Sequence, residues 1–169
     1  RPVMETPAGH EPEWVVAANT DAEKKNAEAA TAFIAAWEKK DGKAFLDTLT
    51  DDAQHVDFAR PADGKKGKAA AKKDFDAFIK AFPDMKMAAK NMWAAGNYVV
   101  VEAETTGTFT GALGPLKPTK KTGTLHGVDV MRLADGKLAV GHSYGSGAEF
   151  AGAFGLMPKA AAKNLVDIS

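Results

Sequence analysis

Apolar and polar positions along this chain change their period near its middle. Between Thr20 and Phe82 the apolar residues recur at helical spacing, and beyond Pro83 they alternate one for one. The first stretch predicts three helices. Thr20 and Glu23 have the spacing of a capping box, in which a hydroxyl and a carboxylate satisfy free backbone N–H groups reciprocally. The helix that follows sets Ala30, Phe33, Ile34 and Trp37 on one stripe and stops near Asp41-Gly42. A short second helix carries Phe45, Leu46 and Leu49 and ends at Thr50-Asp51-Asp52. QHVDF then reads as a short strand, with His55 and Asp57 on one face and Val56 on the other. After a polar turn over 61–68, a third helix carries Phe75, Phe78, Ile79 and Phe82, and Pro83 ends it.

The second stretch predicts strands at 85–94, 98–109, 120–133 and 137–145, with tight turns at Gly96-Asn97 and Asp135-Gly136. A longer loop fills 110–119, and 147–156 forms a last short helix. Residues 1–19, with Pro2, Pro7 and Pro12 and no period, read as an irregular arm that Trp14, Val15 and Val16 dock onto the body. The domain spans 20–158, and 159–169 is a Lys/Ala tail. Helices followed by an antiparallel meander predict an α+β fold, a curved sheet wrapped over a helical layer.

Composition excludes more than it selects. A chain of 169 residues, 45% apolar and 26% charged, is sized for one globular domain. Lysine plus arginine balance aspartate plus glutamate at 22 each, so no global charge points to nucleic acid or a membrane surface. The pairs Lys65-Lys66, Lys72-Lys73 and Lys120-Lys121 are too short for a nucleic-acid footprint and coat the surface. No apolar run has the length of a membrane span. The absence of cysteine removes disulfides and thiol chemistry. Arg1 in first place implies that something upstream has been removed, with a cytoplasmic or an exported location both open.

Two aspartates stand out, Asp57 in QHVDF and Asp129 in HGVDVMRL. Each lies in an otherwise apolar stretch, where an ionised carboxylate is costly unless paired or used. In a dry pocket such a group becomes a proton acceptor, or stays protonated as a donor. The plainer alternatives are that Asp57 caps the turn before Arg60-Pro61 and that Asp129 pairs with Arg132. Strand alternation puts Leu125, Gly127, Asp129 and Met131 on one face and His126 on the other, toward solvent or a partner. On the last strand Ala139, Gly141, Ser143 and Gly145 alternate with Leu138, Val140, His142 and Tyr144, and a one-residue slip exchanges the two sets. Either Ser143 or the His142/Tyr144 pair therefore lines a cavity. His55-x-Asp57 is the one guaranteed same-face pair among the histidines and aspartates, and no metal site is expected from it. Glu102 and Glu104 are expected on a solvent or subunit face, and His10 in solvent.

In order and spacing, several stretches over 27–158 resemble one family. They are AFIAAWEKKDGKAFLDTLTDDAQHVDF, FPDMKM, VVVEAETTGTFTGALGPLKPT, GTLHGVDVMRLADGKLAV and GLMP. The likeness is to SnoaL-like polyketide cyclases of the nuclear transport factor 2-like superfamily. It implies a cone-shaped α+β barrel, an apolar small-molecule ligand, no cofactor and a homodimer. Ketosteroid isomerases share the superfamily, and Asp57 and Asp129 match their proton-abstracting and oxyanion-binding aspartates. Phe33 stands where those enzymes have a tyrosine hydroxyl. Ser143 stands where the cyclases have an acid/base aspartate, and Asp129 where they have a histidine. The resemblance thus implies Asp57 and Asp129 as catalytic residues. His55, Phe33, Trp37, Phe78, Phe82, Gly127, Ser143 and Tyr144 are then implied at the ligand. Two functions follow: cofactor-independent isomerisation, cyclisation or dehydration of an apolar carbonyl compound, or non-catalytic carriage of such a ligand.

Overall fold

The computed structural model describes residues 15–59 and 66–158. Its elements run β1 (Val15–Ala17), α1 (Asp21–Glu38), α2 (Gly42–Asp47), β2 (Leu49–Asp57), α3 (Lys68–Ala81), β3 (Lys86–Ala95), β4 (Tyr98–Thr108), β5 (Thr122–Ala134), β6 (Lys137–Gly145) and α4 (Gly147–Ala153). The four strands expected after Pro83 are present, each within two residues of its expected bounds. They form the antiparallel meander β3-β4-β5-β6. The whole sheet has six strands in the order β1-β3-β4-β5-β6-β2 and stays open, with β1 and β2 as its two edges.

Local chemistry explains most boundaries. Thr20 Oγ1 accepts the Glu23 N–H at 3.1 Å while Glu23 Oε1 accepts the Thr20 N–H at 3.2 Å, so α1 starts on the capping box. The other Glu23 oxygen takes the Gly96 N–H at 3.3 Å, which ties the β3–β4 turn to the head of α1. The buried Ala27, Ala30 and Ala36 give α1 a flat inner face. At the β5–β6 turn Asp135 and Gly136 both have positive φ, 50° and 74°, as a two-residue hairpin requires. Gly111 sits where a Cβ would come within 2.2 Å of the Lys80 carbonyl oxygen, so only glycine lets the 110–119 loop press on the end of α3.

Two expectations are corrected. The second helix ends at Asp47, and the TDD segment expected to close it belongs to β2. Pairing with β6 decides this: β2 runs parallel to it, Leu49 opposite Leu138, then bulges before Gln54 meets Val140. Residues 15–17 of the expected irregular arm form β1, parallel to β3 with Val16 opposite Met92. The meander is thus flanked by two parallel edge pairs. Trp14 and the 159–169 tail lie outside the described residues.

Aromatic residues divide between two cores. Phe45 and Phe75 pack with Trp37 under the sheet, with Met92, Val99 and Met131 beneath them. Phe82 belongs to the second core, with Met85, Phe109 and Phe154. At 2% exposure it is a packing residue. No helix among the described residues is long and apolar enough to cross a membrane.

Candidate functional site

Between helices and sheet lie two adjoining hollows. The narrower, about 150 Å³, is walled by Phe33 and Trp37 of α1, Phe45 of α2, Phe78 of α3, and Met131 and Leu138 of the sheet. The wider, about 380 Å³, is walled by Leu113 and Leu116 of the 110–119 loop, Leu125, Gly127, Tyr144 and Phe150. Phe78, Met87, Asp129 and Ser143 border both. Asp129 and Ser143 are therefore polar groups at the junction of two mostly apolar spaces.

Strand register puts them there. Ser143 on β6 lies opposite Asp129 on β5 and opposite Asp57 on β2, so three strands set Asp57, Ser143 and Asp129 in one row. The next row is His55, Gly141 and Met131. Gly141 has no side chain, and a Cβ there would stand 3.4 Å from His55 Cδ2. The imidazole lies beside Gly141, and its Nε2 comes to 2.7 Å from Ser143 Oγ. Ser143 Oγ in turn donates to Asp129 Oδ1.

The register question left open by the sequence resolves toward Ser143. A shift between Arg132 and Leu133 leaves Ala139 as an extra residue, so Leu138 joins Gly141 and Ser143 in lining the narrow hollow. His142 packs edge-on against Phe58, and Tyr144 stacks on Phe58 at 4.9 Å while bordering the wider hollow.

The two aspartates have different surroundings. Removal from water raises the Asp129 carboxyl above its ordinary pKa; the Ser143 hydrogen bond and nearby His55 oppose this, and the Asp57 charge adds to it. Its hydrogen bond goes to Ser143 rather than to Arg132, whose position on β5 is exposed. Asp57 is half-buried and borders the wider hollow. Its Oδ1 accepts the Ala59 N–H at 3.0 Å, so it caps the turn as its plainer reading held, and it also faces the cavity. Arg60 lies outside the described residues. Of the remaining candidates, His55, Phe33, Trp37 and Phe78 border the narrow hollow, and Gly127 and Tyr144 the wider one. Phe82 borders neither. Among the described residues no cluster of three His, Asp or Glu has a metal-holding arrangement.

Glu149 was not anticipated. It enters from α4, where its Oε2 lies 2.9 Å from His126 Nδ1 and its Oε1 accepts the His126 N–H. Glu104 stands 3.4 Å from His126 Nε2 on the other side. His126 is exposed, yet it lines the wider hollow together with Asp129, although strand alternation was expected to keep the two apart. The side-chain hydrogen bond to Glu149, then the charges of Glu149 and Glu104, raises the His126 pKa. Hydrogen bonds from His126, backbone first, lower that of Glu149. A raised histidine contributes fully below its ordinary 6.5 and fades as pH climbs through the raised value. A depressed carboxylate contributes fully above its ordinary 4.5 and fades as pH drops through the depressed value. The α4 attachment is therefore firmest between those two values. Amide protection in α4, corrected for intrinsic exchange, is expected to be greater at pH 6 than at pH 9, and Glu149→Gln to erase most of that difference.

Comparison with known proteins agrees with this architecture. The family model described as a SnoaL-like domain matches residues 30–140. A protein from Jannaschia sp. CCS1, provisionally assigned as a SnoaL-like polyketide cyclase, superposes with a TM-score of 0.74 at 20% identity, over 83% of this chain and 98% of its own. A protein of ketosteroid isomerase-like fold from Catenulispora acidiphila, solved with trimethylamine, gives 0.66 at 20% identity over 78% and 94%. IdmH from Streptomyces antibioticus, provisionally assigned as a polyketide cyclase, gives 0.65 at 15% over 77% and 98%. No curated protein matches the sequence.

Proposed function

Because this chain belongs to the SnoaL-like domain family, whose members bind small molecules, we propose that it is a cofactor-independent acid/base enzyme acting on an apolar carbonyl compound. The observation that carries the reading is the single row Asp57, Ser143, Asp129 set across the wall of an apolar cavity. In this reading Asp57 takes the proton α to the carbonyl. Asp129, held toward its neutral form by desolvation, donates a hydrogen bond to the oxygen on which negative charge builds. The enolate then takes a proton at another carbon, adds to a second carbonyl, or expels a β-hydroxyl. These outcomes are isomerisation, cyclisation and dehydration. The apolar walls seat the ligand and keep water from the enolate.

A second reading, a carrier without chemistry, is favoured by Phe33, which borders the narrow hollow with a ring that has no hydroxyl to offer an oxyanion. Hydrogen–deuterium exchange into 2-tetralone, an apolar ketone with acidic α protons, separates the two. Enzyme-dependent loss of the α-proton signal in D₂O is expected. Saturable binding of the ketone with exchange no faster than in buffer would establish the carrier instead.

A further inference from the structure

We propose that His55, Ser143 and Asp129 form a proton relay, in which Ser143 passes a proton between the imidazole and the carboxyl so that Asp129 delivers a whole proton to the ligand oxygen. The inference rests on the acid/base reading of the same site and adds a path that the two aspartates lack. Its basis is geometric. Ser143 Oγ is 2.7 Å from His55 Nε2 and donates to Asp129 Oδ1, so one hydroxyl touches both groups. The two ends differ in access to water. Asp129 sits at the junction of the hollows and is part-buried, whereas the His55 position is exposed. The more exposed imidazole gives that carboxyl a second route to bulk water.

The relay balances. With His55 protonated, Nε2–H donates to Ser143 Oγ, whose own O–H donates to Asp129 Oδ1. As Asp129 Oδ2–H breaks toward the ligand oxygen, the Ser143 proton moves to Oδ1 and the His55 Nε2 proton moves to Oγ. Ser143 ends as the neutral alcohol it was, His55 ends neutral, and Asp129 stays protonated on its other oxygen. The imidazole then regains a proton from solvent. Serine is a poor acid or base near neutral pH, but this step never leaves it as an alkoxide. His55 and Ser143 act through Asp129 and are positioning residues for its proton. Gly141 lies beside the imidazole, and a Cβ there would stand 3.4 Å from His55 Cδ2. The other ionisable groups bordering these hollows are Asp57, Asp74, His126, Tyr144 and Glu149. Asp57, the nearest in its effect, pushes Asp129 further toward protonation.

Nuclear magnetic resonance titration of the whole ligand-free protein tests this without any substrate, so its failure is distinct from a failure of the enzyme reading. The reporters are the Asp129 side-chain ¹³C and the His55 ring ¹⁵N signals. In the wild type the Asp129 signal is expected to move in two steps, one shared with His55. At pH values between the steps, protonated Asp129 should donate to Ser143 Oγ, so that the hydroxyl turns to donate to His55 Nε2 and His55 carries its proton on Nδ1. Ser143→Ala should abolish the shared step and the Nδ1–H preference, and Ser143→Thr, which keeps the hydroxyl, should retain both. Ser143→Gly reports the same loss if the alanine variant does not fold. Independent single-step titrations in the wild type would overturn the relay. So would a shared step that survives in Ser143→Ala, since charge alone would then couple the two groups.

Discussion

Asp57→Asn is expected to lower enzyme-dependent exchange of 2-tetralone α protons by about 10²–10⁴-fold, the usual contribution of a positioned general base. Ketone binding should change little. The substitution is nearly isosteric, and the amide oxygen can still accept the Ala59 N–H that Asp57 Oδ1 accepts at 3.0 Å. The turn and strand end are thereby kept, and only the capacity to take a proton is lost. Thermal unfolding and binding should therefore match the wild type while the exchange rate collapses. A variant that exchanges as fast as the wild type would remove Asp57 from the chemistry and leave it as a turn cap. A variant that unfolds would show the turn to depend on the charge, and Asp57→Glu, which keeps a carboxylate, would then separate the two effects.

Phe75→Ala is expected to destabilise the fold by about 3–5 kcal/mol, the range for a phenylalanine removed from a packed core. Phe75 is 2% exposed, stacks on Phe45 with ring centroids 4.5 Å apart, and meets Trp37 at 4.6 Å. Phe45 and Trp37 also wall the narrow hollow. The loss should appear in two measurements, a lowered denaturation midpoint and weakened ketone binding, because the rings freed by the deletion no longer hold the wall in place. A cost under about 1 kcal/mol would mean that the helices close over the gap, and the hollow would then shrink rather than loosen.

The alternation after Pro83 was enough to locate β3 to β6, because each strand buries one face and a period of two leaves little choice of element. The same alternation placed Asp129 and Gly127 on one side and His126 on the other. Where the reading failed, a non-local contact was the cause. The acidic TDD segment looks locally like a helix stop, and its pairing with β6 makes it strand. Phe82 has the helical spacing of Phe75 and Phe78, yet the chain turns at Pro83, and the ring falls into the second core with Phe109 and Phe154. The Glu149 contact to His126 was hidden for a similar reason, since nothing in the spacing of the two residues shows that α4 folds back on β5.

Determined by the sequence alone were the change of period, the capped first helix, the meander and its turns, and the family likeness. These are local or pattern properties, set by which residues favour a helix, a strand or a turn and by which side of each must avoid water. Only the tertiary structure decided the register of β6 between β5 and β2. That register aligned Asp57, Ser143 and Asp129 in one row and set His55 beside Gly141. A one-residue bulge at Ala139 turns the end of a strand over, and its position depends on pairing energies summed across three strands rather than on any one segment.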